Sequence, residues 1–186
     1  MSGVYEPSDD SLFLSKVVER MYVDRVAEVG VGSGFVIDGY VHANAPDVAV
    51  GTDVDIEAIE VARRRGNHDS IEYILCSSCD AFRKNAFQLV FLNPPYLKED
   101  EADDVATSGG EGGVERTYEM VCSSYEALAT QGSMIFLASN LSDVESLLSQ
   151  LHKEGMRPRR LASSKLFFEE LYAFKVTKQR LNRKSR

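Results

Sequence analysis

Short apolar runs alternate with segments of helical period along almost the whole chain, and no other feature restricts the fold as much. Runs at 25–29, 47–52, 71–76, 88–92 and 133–138 read as strands, and two further candidates at 159–163 and 171–177 close the pattern. Between them, 35–44, 55–66, 115–130 and 143–154 carry helical spacing. A first helix is expected over 8–22, where Leu12, Phe13, Val17 and Met21 share a face and Ser8, Asp9 and Asp10 supply an N-cap and acids for the positive end of the dipole. Parallel strands need helical crossovers on both faces, and their doubly buried strands become near-continuous apolar runs. The expectation is therefore an α/β fold: a doubly wound, seven-stranded, mostly parallel sheet with helices on both faces. One domain over 1–177 with a basic tail at 178–186 accounts for the 186 residues. Sheets of this kind bind ligands outside the carboxyl ends of their strands, at the switch point.

Charge and cysteine content narrow the class of ligand. The net charge is −8, which disfavours any partner held chiefly by phosphate neutralisation, so nucleic acid is not the expected substrate. No apolar run approaches the roughly 20 residues that a membrane span needs. Cys76, Cys79 and Cys122 are odd in number and lack the spacing of a disulfide framework, which fits a reducing compartment, the cytoplasm with the nucleus as a second possibility. Cys76 and Cys79 have half-site spacing, yet a structural zinc wants four ligands and no second pair exists, so no metal is expected. His42, His68 and His152 stand alone and read as solvated.

Glu28-Val29-Gly30-Val31-Gly32-Ser33-Gly34 ends the first strand, and its glycines let backbone approach a ligand where a Cβ would collide. A dinucleotide fingerprint would place its third glycine at Phe35, and Glu28 sits badly beside a phosphate but well beside the ammonium of a methionyl group. Asp53, after the second strand, can accept from both hydroxyls of a ribose, and Asp80, after the third, from the exocyclic amine of a purine. Amino acid, ribose and base at three successive strand ends match S-adenosylmethionine. Asp55 reads as a helix N-cap.

Asn93-Pro94-Pro95-Tyr96 terminates the fourth strand, which in a doubly wound order lies beside the first. Paired prolines bias the backbone toward extended geometry and aim the Asn93 side-chain oxygen and the Pro94 carbonyl at one NH2 group, on which Tyr96 can stack. Such a nitrogen is a poor nucleophile because its lone pair is delocalised. Two acceptors on its N–H groups favour the electron-rich geometry that attack requires, with no metal and no nucleophilic side chain.

These motifs together resemble the class I methyltransferases of the HemK-like protein-glutamine branch, over nearly the whole chain. Tyr5-Glu6-Pro7-Ser8-Asp9-Asp10-Ser11 is similar to the opening signature of the eukaryotic branch, which acts on the Gly-Gly-Gln motif of the class 1 translation termination factor. Gly109-Gly110-Glu111-Gly112-Gly113-Val114-Glu115 and Glu170-Leu171-Tyr172-Ala173-Phe174-Lys175 add to the likeness, although Glu111 or Val114 replaces an arginine of that branch. The resemblance implies Ser11 near the cofactor, Glu28 and Gly30 on its methionyl part, Asp53 on ribose, Asp80 and Ala81 on adenine, and Asn93 to Tyr96 on the glutamine amide, with Asn93 also against the cofactor. It also implies a heterodimer with a small zinc-binding activator, for which the apolar edge Ile71-Glu72-Tyr73-Ile74-Leu75-Cys76 is the candidate surface. The bacterial relatives' extra helical domain has no counterpart here, so substrate recognition is expected from loops or from that partner. Two other readings remain open: an adenine-amine methyltransferase on DNA or RNA, and a cofactor-binding scaffold without catalysis. The acidic run Glu99-Asp100-Glu101-Ala102-Asp103-Asp104 is either a lid or a solvated loop.

Overall fold

A computed structural model describes residues 7–66, 70–96 and 113–180. Tyr5, Glu6, His68, the acidic run 99–104, Gly109 to Gly112 and the tail beyond 180 lie outside the described residues. Seven strands form one sheet in the order β3-β2-β1-β4-β5-β7-β6. They are β1 (Arg25–Val29), β2 (Val48–Asp53), β3 (Ile71–Leu75), β4 (Phe87–Leu92), β5 (Leu128–Ser139), β6 (Arg159–Lys165) and β7 (Glu170–Thr177). The first five are parallel, whereas β7 runs antiparallel between β5 and β6, as a tight turn after β6 requires.

The helices cover both faces. Leu14 and Val18 of α1 (Asp9–Val18), Ile37 and Tyr40 of α2 (Phe35–Asn44) and Ile59 and Ala62 of α3 (Ile56–Arg65) enclose one apolar cluster against the sheet. Val121 and Ala127 of α4 (Glu115–Ala127) with Leu147 and Leu151 of α5 (Val144–Lys153) enclose the other. The central strands are buried on both sides, which is why they read as unbroken apolar runs. The order reverses between β1 and β4, and the register there pairs Val29 with both Thr52 and Leu92. Gly30, Asp53 and Asn93 therefore leave the sheet at one level.

Four local expectations are corrected, the first being that α1 ends at Val18 and not near residue 22, which leaves Met21 outside it. The fourth predicted helix does not reach Thr130: it stops at Ala127, and Leu128 to Thr130 are strand. Leu128 pairs with Phe87, the register then shifts before Leu89 pairs with Ser133, and Gln131 takes a left-handed φ of 66° at the irregularity. Ser8 occupies the N-cap position of α1 but makes no side-chain bond to the helix backbone; its hydroxyl donates to Asp10 instead. Lys178, placed in the tail by sequence, belongs to the fold. Its Nζ donates to the Tyr125 and Glu126 carbonyls at the end of α4, at 2.9 and 3.0 Å, where the helix dipole favours a cation.

Candidate active site

The turn after β1 supplies the floor of the site. Gly30 stands at φ 71°, a left-handed value that strains any residue carrying a Cβ. Glu28, only 3% exposed, accepts from the Ile37 N–H at 2.8 Å. It thus fills the capping role that Gly34, the residue before α2, lacks a side chain to perform. Burial pushes the Glu28 carboxyl well above its ordinary range, offset in part by the Ile37 hydrogen bond and reinforced by the Asp53 charge. A cation beside it would relieve that cost.

Asp53 ties β2 to the same turn, accepting from the Gly32 N–H at 2.9 Å and from the Asp55 N–H at 3.0 Å. Each carboxylate oxygen keeps a further lone pair for a ligand hydroxyl. Asp55 caps α3 through the Glu57 N–H, as its position in the sequence indicates. Asp80 accepts from the Ser123 hydroxyl of α4 at 2.6 Å, a contact that sequence reasoning missed because 43 residues separate the two.

These groups line a cleft of about 1140 Å³ together with Ser11, Glu28, Gly30, Gly32 and the whole segment Asn93 to Tyr96. Gly34 and Ala81 do not line it. Gly34 serves packing instead: at φ 77°, a Cβ there would come within 3.0 Å of the Ala62 Cβ, where α2 meets α3. Seven carboxylates line the cleft against one cation, Arg116, among the described residues. Such a field repels phosphate and suits a ligand that carries an ammonium and a sulfonium.

At the tip of β4 the structure adds a residue that the sequence had suggested only as a helix-dipole acid. Asp10, 4% exposed, accepts from Asn93 Nδ2 at 2.9 Å and from the Tyr96 hydroxyl at 3.1 Å through one oxygen. Its other oxygen takes the Ser11 N–H at 2.6 Å and the Ser11 hydroxyl at 3.3 Å, so Ser11 acts by holding Asp10. A carboxylate only accepts, so it fixes which end of the Asn93 amide faces it. Asn93 Oδ1 is left buried without a hydrogen-bond partner, an arrangement that costs roughly 1–3 kcal/mol unless a donor arrives. The Thr117 hydroxyl donates to the Pro95 carbonyl at 3.4 Å and fastens the segment to α4. If Asp10 orients Asn93 in this way, Asp10→Asn is expected to lower kcat by about 10-fold with donor affinity unchanged, because an amide can also donate and no longer selects one orientation. Equal kcat values in a steady-state assay would remove that role.

A parallel switch-point cleft of this composition, in a 3-2-1-4-5-7-6 sheet, defines the class I methyltransferase architecture. The methyltransferase small domain model matches residues 8–157, and the chain belongs to that family. The sequence-based expectation of a HemK-like methyltransferase with S-adenosylmethionine as cofactor is met. A Methanocaldococcus jannaschii protein assigned as a protein N5-glutamine methyltransferase is 29% identical over 90% of this chain and 88% of its own. A release factor glutamine methyltransferase of Bradyrhizobium diazoefficiens is 29% identical over 67% of this chain, which spans 48% of that relative. Among solved structures, the E. cuniculi Mtq2-Trm112 complex, described as responsible for methylating the eRF1 termination factor, superposes with a TM-score of 0.77 at 24% identity, covering 95% of this chain and 99% of its counterpart. At that identity the likeness concerns the fold.

Proposed function

We propose that this chain methylates the side-chain amide nitrogen of glutamine in the Gly-Gly-Gln motif of the class 1 translation termination factor, in the cytoplasm, as the catalytic subunit of a heterodimer with a small zinc-binding activator. The observation that carries the reading is the buried Asn93 Oδ1, left without a hydrogen-bond partner while Asp10 holds the other end of the amide, in a segment that lines the same cleft as the Gly30 turn. An amide NH2 supplies the donor that this oxygen lacks. With one N–H held by Asn93 Oδ1 and the other by the Pro94 carbonyl, the nitrogen lone pair is freed from conjugation and turned toward the methyl. When bound, the sulfonium supplies an electrophilic carbon. Held by Glu28, Asp53 and Asp80, the donor would give up its methyl to the amide nitrogen with the C–S electron pair staying on sulfur, and the amide held at Asn93 would lose one proton to solvent. Acids at the ends of β1, β2 and β3 hold the donor's ammonium, ribose and base, which supports S-adenosylmethionine on that side. The named relatives support the glutamine acceptor.

The test is label transfer from the donor to a folded Gly-Gly-Gln protein, to its Gln→Ala form and to a DNA duplex, with and without a candidate activator. Label is expected on the first alone. Label on DNA and none on protein would assign the adenine-amine chemistry instead. The β3 edge supports the activator proposal: it ends the sheet and leaves Leu75 52% exposed. Loss of activator co-purification in Leu75→Lys is the outcome expected, and a fully active, monodisperse chain without any partner would remove the heterodimer.

A further inference from the structure

We propose that the β6–β7 hairpin tip, through Phe167 and Phe168, docks an apolar patch on the body of the protein whose glutamine enters the cleft; this rests on the reading of a protein acceptor. The two rings are 95% and 87% exposed and contact each other edge to face at 5.2 Å. They are the central pair of a turn closed by the Leu166 N–H on the Glu169 carbonyl at 2.8 Å. Glycine, asparagine, aspartate and proline dominate such positions for conformational reasons. Neither Phe has a positive φ, so the turn itself makes no demand for aromatic residues. Rings of this size present on the order of 150–250 Å² each, and a patch of that scale on a soluble surface marks an interaction site.

Position in the sheet selects the occupant. β7 is antiparallel to β5, and Ser139 pairs with Leu171, so the β6–β7 turn projects from the carboxyl rim, on the same side as Asn93 to Tyr96. Asn140, at the exit of β5, locks the two loops together: its N–H donates to the Glu170 carbonyl at 3.0 Å, and its side-chain oxygen accepts from the Glu170 N–H at 2.6 Å. Leu141, 37% exposed, follows on that loop. With the proposed donor acids at the rim over β1, β2 and β3, the rim over β5 and β7 is the side of Asn93 left for the body of an acceptor protein. Two strand spacings and about three residues of extension place the tip roughly 15 Å from the tetrapeptide. A Gly-Gly-Gln tripeptide, at most about 10 Å long, cannot bridge that gap, whereas the surface around it in a folded protein can.

The experiment is the double variant Phe167→Ser/Phe168→Ser assayed with a folded Gly-Gly-Gln protein. KM for the protein is expected to rise at least 10-fold, with kcat within 2-fold and donor affinity and Tm unchanged. An unchanged KM, or a loss confined to kcat, overturns the proposal. Sedimentation showing a wild-type dimer that the variant dissociates would assign the tip to a second copy of this chain and overturn it too. A wild type that binds donor yet labels no Gly-Gly-Gln protein defeats the parent reading, a result distinguishable from normal turnover with unchanged KM.

Discussion

Asn93→Ala is expected to lower kcat by about 10²–10³-fold while the donor dissociation constant stays within a few fold. The substitution deletes the acceptor Oδ1, the one polar atom of the tetrapeptide's side chains that is buried without a partner. It leaves the fold's anchors at this rim in place, because Asp10 still receives Ser11 and Tyr96 and Pro95 still receives Thr117. The acids proposed to hold the donor lie over β1, β2 and β3, one or more strands away, so its affinity has little reason to change. Acceptor alignment, by contrast, loses one of two fixed points, and with one hydrogen bond the amide rotates and its lone pair returns to conjugation. Single-turnover transfer with titration calorimetry for donor binding separates the two quantities. Turnover within about 3-fold of wild type would assign the nitrogen's alignment to some other group.

What the sequence disclosed and what it withheld divide along sequence distance. The turn from Glu28 to Gly34, Asp53 after its strand and Asn93 to Tyr96 after theirs are local motifs at strand ends, and the alternation that predicts the sheet also predicts that those ends meet. The Asp55 cap is legible for the same reason. Asp10 is not, because its role exists only across the 83 residues to Asn93, and in its own segment an acid in a first turn is fully explained by the helix dipole. Ser123 beside Asp80 is a second case, a hydroxyl on the outward path of α4 that no periodicity marks. The strand character of Leu128 to Thr130 is a third. Those residues continue a helical pattern, and pairing with Phe87 overrides it. Gly34 shows the converse case. Its place in a Gly-rich motif suggested a ligand contact, whereas the close approach of α2 to α3 already accounts for it.

Glu28→Gln is expected to weaken donor binding by at least about 30-fold, roughly 2 kcal/mol, and to abolish the pH dependence of that binding. In the free protein the Glu28 carboxyl lies well above its ordinary range, first because it is buried and then because Asp53 is near. An ammonium placed against it favours the ionised form and draws its pKa back down. Between the lowered and raised values, binding must release a proton, so affinity rises with pH across that window and levels off above it. Glutamine retains an oxygen for the Ile37 N–H, so α2 stays capped, but it has no proton to release and no charge to offer. Stability moves in the opposite sense. A carboxyl raised on folding contributes fully below the unfolded-state range and loses that contribution as pH climbs through the folded value, so the ligand-free wild type should fall behind Glu28→Gln as pH increases. Calorimetry in buffers of differing ionisation enthalpy counts the proton, and thermal melts across pH follow the stability. A proton count of zero for the wild type throughout the window, or equal donor affinity in the variant, would remove the ammonium from Glu28 and leave it a helix cap alone.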